Sequence, residues 1–145
     1  MAITPNFNQE DIKKRLLADK TKIEESIFIR LAEVGEQFIA DARSVNTYTD
    51  RSGNLRSSIG FTVLKDGEQV IQAFPGDKAE GVAKGKKVAA EAASGFPRGI
   101  VLIVVAGMDY AAAVESRGDD VITGSSYAAI AELKATMKRL SDKLQ

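Results

Sequence analysis

Residues 49–61, TDRSGNLRSSIGF, mark the point where the chain changes its hydrophobic period. Downstream of the turn residues Ser52-Gly53-Asn54, Leu55, Ser57, Ile59 and Phe61 alternate with Arg56, Ser58, Gly60 and Thr62. That two-residue period predicts a half-buried strand. Upstream, Ile12, Leu16, Ile23, Ile27, Leu31, Val34, Phe38 and Ala42 recur at three- and four-residue steps, predicting one long helix over residues 8–43. Asn8 is placed to cap it, and Glu10 and Asp11 lie in its first turn, where the helix dipole favours negative charge. Glu10–Lys14, Asp11–Arg15 and Lys20–Glu24 stand four apart as candidate ion pairs. Gly35 costs about 1 kcal/mol inside such a helix; close approach of another backbone would offset that, and chance tolerance is the alternative. A helix this long outruns the core of a small domain and offers a surface to a second subunit.

Beyond the strand start, Lys65-Asp66-Gly67-Glu68 is a tight-turn sequence, and Gln69–Phe74 returns, giving a hairpin over residues 55–74. Residues 77–94, DKAEGVAKGKKVAAEAAS, read as a flexible or partly helical insertion, because Gly81 and Gly85 weaken a helix. IVLIVVA, residues 100–106, is β-branched and apolar on both faces, the pattern of a central strand buried on both sides. Periodicity leaves residues 108–118 open between strand and helical turn. A last helix over 125–144, capped by Ser125 or Ser126, carries the stripe Ile130, Leu133, Met137, Leu140 and Leu144. The expected fold class is α+β: one domain over 1–145 with a long N-terminal helix, a small mainly antiparallel sheet holding a β-hairpin and a buried strand, and a C-terminal amphipathic helix.

Composition narrows the chemistry. A chain of 145 residues is long enough to bury a self-sufficient core. Twenty Lys and Arg balance twenty Asp and Glu, so no net field draws it to nucleic acid or an anionic membrane. Cysteine and histidine are both absent, which removes disulfides, thiolate nucleophiles and the commonest general base and metal ligands. The N-terminal residues lack a signal-peptide pattern, and the longest apolar run is far short of the roughly 20 residues that span a bilayer. A soluble protein made in a cytoplasm is expected, with no membrane partner.

Candidate ligand motifs fail on spacing. Only three residues separate Gly81 from Gly85, and Lys87 stands where a phosphate-binding loop needs a hydroxyl. Asp50, Ser52 and Asn54 imitate the first ligands of a calcium loop, but Leu55 and Phe61 occupy its glycine and bidentate-carboxylate positions. Arg117-Gly118-Asp119 spells a cell-adhesion tripeptide in a chain with no other extracellular feature, and reads as a charged turn. Asp109, Glu115, Asp119 and Asp120 gather four carboxylates without a complementary group, and read as a solvated corner. Lys78, Lys84, Lys86, Lys87 and Arg98 make residues 78–98 mildly basic, which keeps nucleic-acid binding as an alternative function. No catalytic set, cofactor, metal or small-molecule substrate is expected.

DRSGNLRSSIGF at 50–61, MDYAAAVESRG at 108–118 and a closing amphipathic helix together resemble the gene-ten-like tail-component family of tailed bacteriophages, small neck or tail-completion proteins. The matching residues are Ser52, Gly53, Leu55, Arg56, Ser58 and Ile59, then Tyr110, Ala111, Val114, Glu115 and Gly118. Serine replaces the commoner threonine at 52, and the corner after Glu115 is lengthened into Ser116-Arg117-Gly118 and DDVITGS. The resemblance implies a non-enzymatic phage or prophage virion protein at the head–tail joint, assembled in the bacterial cytoplasm. Its implied partners are further copies of itself in a ring and other neck or tail proteins, with passive contact to DNA in the particle. On this reading Gly53 supplies a tight turn with positive φ, Leu55 and Ile59 enter the core, and Tyr110 packs on the sheet. Arg56 and Glu115 then meet in a charge-assisted hydrogen bond, or else are two separately solvated charges.

Overall fold

The computed structural model describes residues 8–45 and 47–145. Helix α1 (Gln9–Ser44) leads into a one-turn helix α2 (Asn54–Ser57) and strand β1 (Ile59–Lys65). Strand β2 (Glu68–Ala73), helix α3 (Ala79–Ala93) and strand β3 (Ile100–Ala106) follow. Helix α4 (Ala111–Ser116) and the long helix α5 (Thr123–Lys143) close the chain. The fold is α+β: a three-stranded antiparallel sheet in the order β2-β1-β3 between helical layers.

The pleat of β1 assigns the layers. Ile59, Phe61 and Val63 face α1 and are buried with Leu31, Phe38, Ile39 and Ala42, while Leu133 and Met137 of α5 close the side of that core. Leu64 points to the other face, where it meets Ala89 of α3 and Ile103 and Val105 of β3. Asn8 caps α1 as its sequence requires, its Oδ1 accepting the Asp11 N–H at 2.8 Å. The hairpin turn is left-handed at both central residues, Asp66 (φ 50°) and Gly67 (φ 83°), the conformation an Asp-Gly pair adopts at least cost.

Several expectations are corrected. The alternating run does not begin a strand at Leu55: Asn54–Ser57 form a helical turn, and β1 starts at Ile59. β1 itself is the central strand, buried along nearly its whole length on both faces, and IVLIVVA is an edge strand. Both of its faces are apolar because α1 and α3 flank the sheet, not because strands flank it. Of the two readings of residues 77–94, flexible or partly helical, the helical one holds. Fifteen of these residues form α3, the whole second helical layer. Its glycines are the contact points: a Cβ on Gly85 would lie 2.5 Å from the Ser58 carbonyl oxygen, and one on Gly81 would lie 2.9 Å from Ser57 Cβ. Gly35 likewise admits a neighbour, but that neighbour is the Phe61 ring rather than another backbone, 2.5 Å from the position of a Cβ. In α5, Leu133 and Met137 reach the core while Ile130 and Leu144 stay exposed. Residues 108–118 resolve as the helical turn α4.

Candidate functional site: a junction of two sequence motifs

Stretches 50–61 and 108–118, distant in sequence, meet in one small buried cluster. Leu55 of α2 packs with Met108, Ala111 and Val114 around α4, and with Tyr48 and Val121. Leu55 and Val121 are almost wholly inaccessible. Polar groups then lock the cluster from four directions.

Asp50 organises α2. Its two carboxylate oxygens accept the N–H of Gly53 at 3.0 Å and of Arg56 at 2.8 Å, satisfying donors that the helix start leaves unpaired. Gly53, at φ 76°, makes the left-handed step that aims the chain into α2. Ser57 and Ser58 are buried hydroxyls with opposite assignments. Ser57 Oγ donates to Asp77 at 3.4 Å and accepts the Lys78 N–H at 3.2 Å, tying α2 to the start of α3. Ser58 Oγ donates to the Leu55 carbonyl at 2.7 Å and accepts the Gly107 N–H at 3.0 Å, holding the end of β3 against the start of β1.

Arg56 and Glu115 do not meet. No ion pair joins them among the described residues, and each has its own partners. Arg56 donates to the Val45 carbonyl at 2.8 Å and lies over the Tyr48 ring, 5.1 Å from its centroid. It therefore fastens the loop after α1. Glu115 accepts the N–H groups of Val121, Ile122 and Thr123 at 3.2, 2.7 and 3.0 Å, together with the Thr123 hydroxyl. It caps α5 from a separate helix, so Ser125 and Ser126 are not the caps. Burial pushes the Glu115 carboxyl up, but the hydrogen bonds from Thr123, Ile122 and Val121 outweigh it and hold it below the usual carboxylate range.

The other motif residues have defined places. Ile59 is fully buried in the core, and Val114 belongs to the junction cluster. Gly118, at φ 93°, ends α4 with its N–H on the Glu115 carbonyl at 2.9 Å. Tyr110 is a correction: it is 40% exposed at the start of α4 and does not pack on the sheet. Asp109 pairs with Lys84 of α3 at 2.7 Å, which takes one cation and one carboxylate out of their respective surface clusters. The sequence offered Asp50 only as a calcium ligand and Ser57 only as a strand position, and gave Tyr48 no role, whereas all three belong to the junction. The signal for Asp50 was its place three residues before Gly53, the spacing of a side chain closing a turn on its own backbone.

Among the described residues no group of acidic side chains is arranged to hold a metal ion, and no helix is long and apolar enough to cross a membrane. The junction's hydrogen bonds tie α2 to α3, the start of β1 to the end of β3, and α4 to α5. No protein-family model, curated protein or solved structure matches the chain.

Proposed function

We propose that this chain is a structural protein of a phage or prophage particle, acting by oligomeric assembly at the neck or tail as a tail-completion or head–tail joining component. The observation that carries this reading is the junction. The two stretches on which the resemblance rests, separated by about fifty residues, share one buried cluster through Leu55, Ala111 and Val114. Residues that belong to one motif are expected to share one structural task, and here that task is rigid packing. The surface agrees with an assembling part. α1 carries exposed Ile12, Leu16 and Leu17 beyond the core, and β3 is an edge strand of the sheet.

The test is compositional and genetic. Tailed particles purified by density gradient should contain this chain at a fixed ratio to the other neck and tail proteins. Deleting its gene should leave separate heads and tails. Particles that lack the chain, or a deletion that leaves joined, infectious particles, overturn the reading.

A further inference from the structure

Two surfaces of this chain complement one another and cannot meet within one molecule. The first is the tip of α1. Every residue from Gln9 to Lys22 is exposed, including Ile12, Leu16 (64%) and Leu17 (55%). The same exposed stretch, residues 9–22, carries Lys13, Lys14, Arg15, Lys20 and Lys22 against Glu10, Asp11 and Asp19, five cations to three acids and so a net charge of plus two. Of the five cations, Lys20 alone is in an ion pair among the described residues, with Glu24 at 3.8 Å; the pairs Glu10–Lys14 and Asp11–Arg15 expected from spacing do not form. The second surface is an open groove of about 580 Å³ further along the same helix, where α1 crosses β2. Phe28, Ile29, Ala32 and Ile71 make its apolar floor, Glu33 and Glu36 edge it, and no cation lines it. Glu33 is paired with Arg30 at 3.0 Å, whereas Glu36 has no ion-pair partner among the described residues.

We propose that the α1 tip of one molecule docks into the α1–β2 groove of a second copy of this chain, Ile12, Leu16 and Leu17 on its apolar floor and the tip's cations toward Glu36. A helix of 36 residues is stiff and about 54 Å long, so its first turns cannot fold back onto residues 28–37 of the same rod. The contact is therefore made in trans. It is also head-to-tail, because tip and groove are different surfaces, and such contacts repeat until they close a ring or run on as a filament. The inference rests on the assembly reading above and deepens it by naming the surface that assembles.

The chain has no cysteine, so introduced thiols report without background. The full-length double variant Leu16→Cys, Ile29→Cys, treated with a short bis-maleimide, should give a ladder of dimers, trimers and higher species on a denaturing gel. Each single variant should stay monomeric on the gel. In sedimentation, Leu16→Asp and Glu36→Lys should each weaken self-association about ten-fold or more with an unchanged circular dichroism spectrum. Efficient dimers from Leu16→Cys alone would mean that tip packs on tip, and would overturn the proposal. A chain that forms oligomers while the tip–groove pair stays silent, or that is linked instead through Val104→Cys on the open edge of β3, overturns the proposal and leaves the assembly reading standing. A chain that is monomeric even at millimolar concentration also overturns it. The virion reading is then decided separately, by the content of purified particles.

Discussion

Glu115, near the end of α4, holds Thr123, the first residue of α5, through both its main-chain N–H and its hydroxyl. The same carboxylate takes the N–H groups of Val121 and Ile122, so one side chain satisfies three donors at a helix start whose own cap position, Ile122, has nothing to offer. Replacing Glu115 with Ala should cost about 0.5–2 kcal/mol, the range for loss of a helix cap. It should also alter the acid limb of the stability curve. The hydrogen-bonded carboxyl titrates below its ordinary value, so its contribution is complete above about pH 5 and is lost as pH falls through and below the usual value near 4.3. Urea midpoints at pH 7 and pH 3 check this. The difference between wild type and Glu115→Ala should shrink at pH 3, and a difference that is constant with pH would refute the assignment.

Gly85 should resist the substitution that helix propensity recommends. Alanine there gains about 1 kcal/mol in an isolated helix, but its Cβ would lie 2.5 Å from the Ser58 carbonyl and 2.6 Å from the Phe74 ring. Backbone cannot yield as a flexible side chain does, and overpacking costs about 1–3 kcal/mol. Gly85→Ala is expected to lower the urea midpoint, while Lys86→Ala on the exposed side of the same helix leaves it within about 0.5 kcal/mol. Equal effects at the two positions would mean that α3 does not seat on β1 through Gly85.

These two cases also explain what the sequence conveyed. α1 was legible because eight apolar positions hold one phase, and Leu31, Val34, Phe38 and Ala42 are buried as that phase requires. The Asp66-Gly67 turn was legible because its chemistry is local. The rank of the strands was not, because centre and edge are set by long-range pairing. β1 carries Ser58 just before it and Thr62 within it, and looks half-exposed, yet the Thr62 hydroxyl is satisfied by the Ile71 carbonyl at 3.0 Å. α3 was only half legible, left between flexible and partly helical, because a glycine read by propensity alone signals weakness, whereas here it signals contact. Of the motif residues, Leu55 and Ile59 followed their hydrophobicity, but the partners of Arg56 and Glu115 lay outside any local window. Glu115 caps a helix that begins eight residues later.

Tyr48 should tolerate loss of its hydroxyl better than most buried tyrosines. Its ring is buried beneath Arg56, yet its hydroxyl has no hydrogen-bond partner among the described residues. Tyr48→Phe keeps the face that the guanidinium covers and removes an unsatisfied polar atom, so it should be neutral or stabilising by up to about 1 kcal/mol. Burial pushes the Tyr48 phenol up, with the Arg56 charge opposing it only in part. For an acid raised in the folded state, the stabilising neutral form is complete below about pH 10 and is lost as pH rises beyond that. Ultraviolet titration of the folded chain should therefore show a late-ionising component that Tyr48→Phe removes. A clear loss of stability in that variant would mean the hydroxyl has a partner.

Leu16 and Leu31 lie on one stripe of one helix and should behave as different residues. Leu31 is 4% exposed against the sheet, and Leu16 is 64% exposed on the free tip. Truncating a buried leucine to alanine removes its transfer energy and opens a cavity, together about 2–5 kcal/mol. At Leu16 only a small propensity difference remains, and Ala is the better helix former. Urea denaturation at low protein concentration, where linkage to association is weakest, isolates the folding term. There Leu31→Ala should lower the midpoint strongly and Leu16→Ala should leave it within about 0.5 kcal/mol of wild type. At high concentration the order of effects should change for one residue alone: Leu16→Ala loses whatever stability the docked tip adds, and the loss grows with concentration. A Leu16→Ala effect as large as that of Leu31, and independent of concentration, would place the tip inside the monomer's own core and remove the basis for a contact in trans.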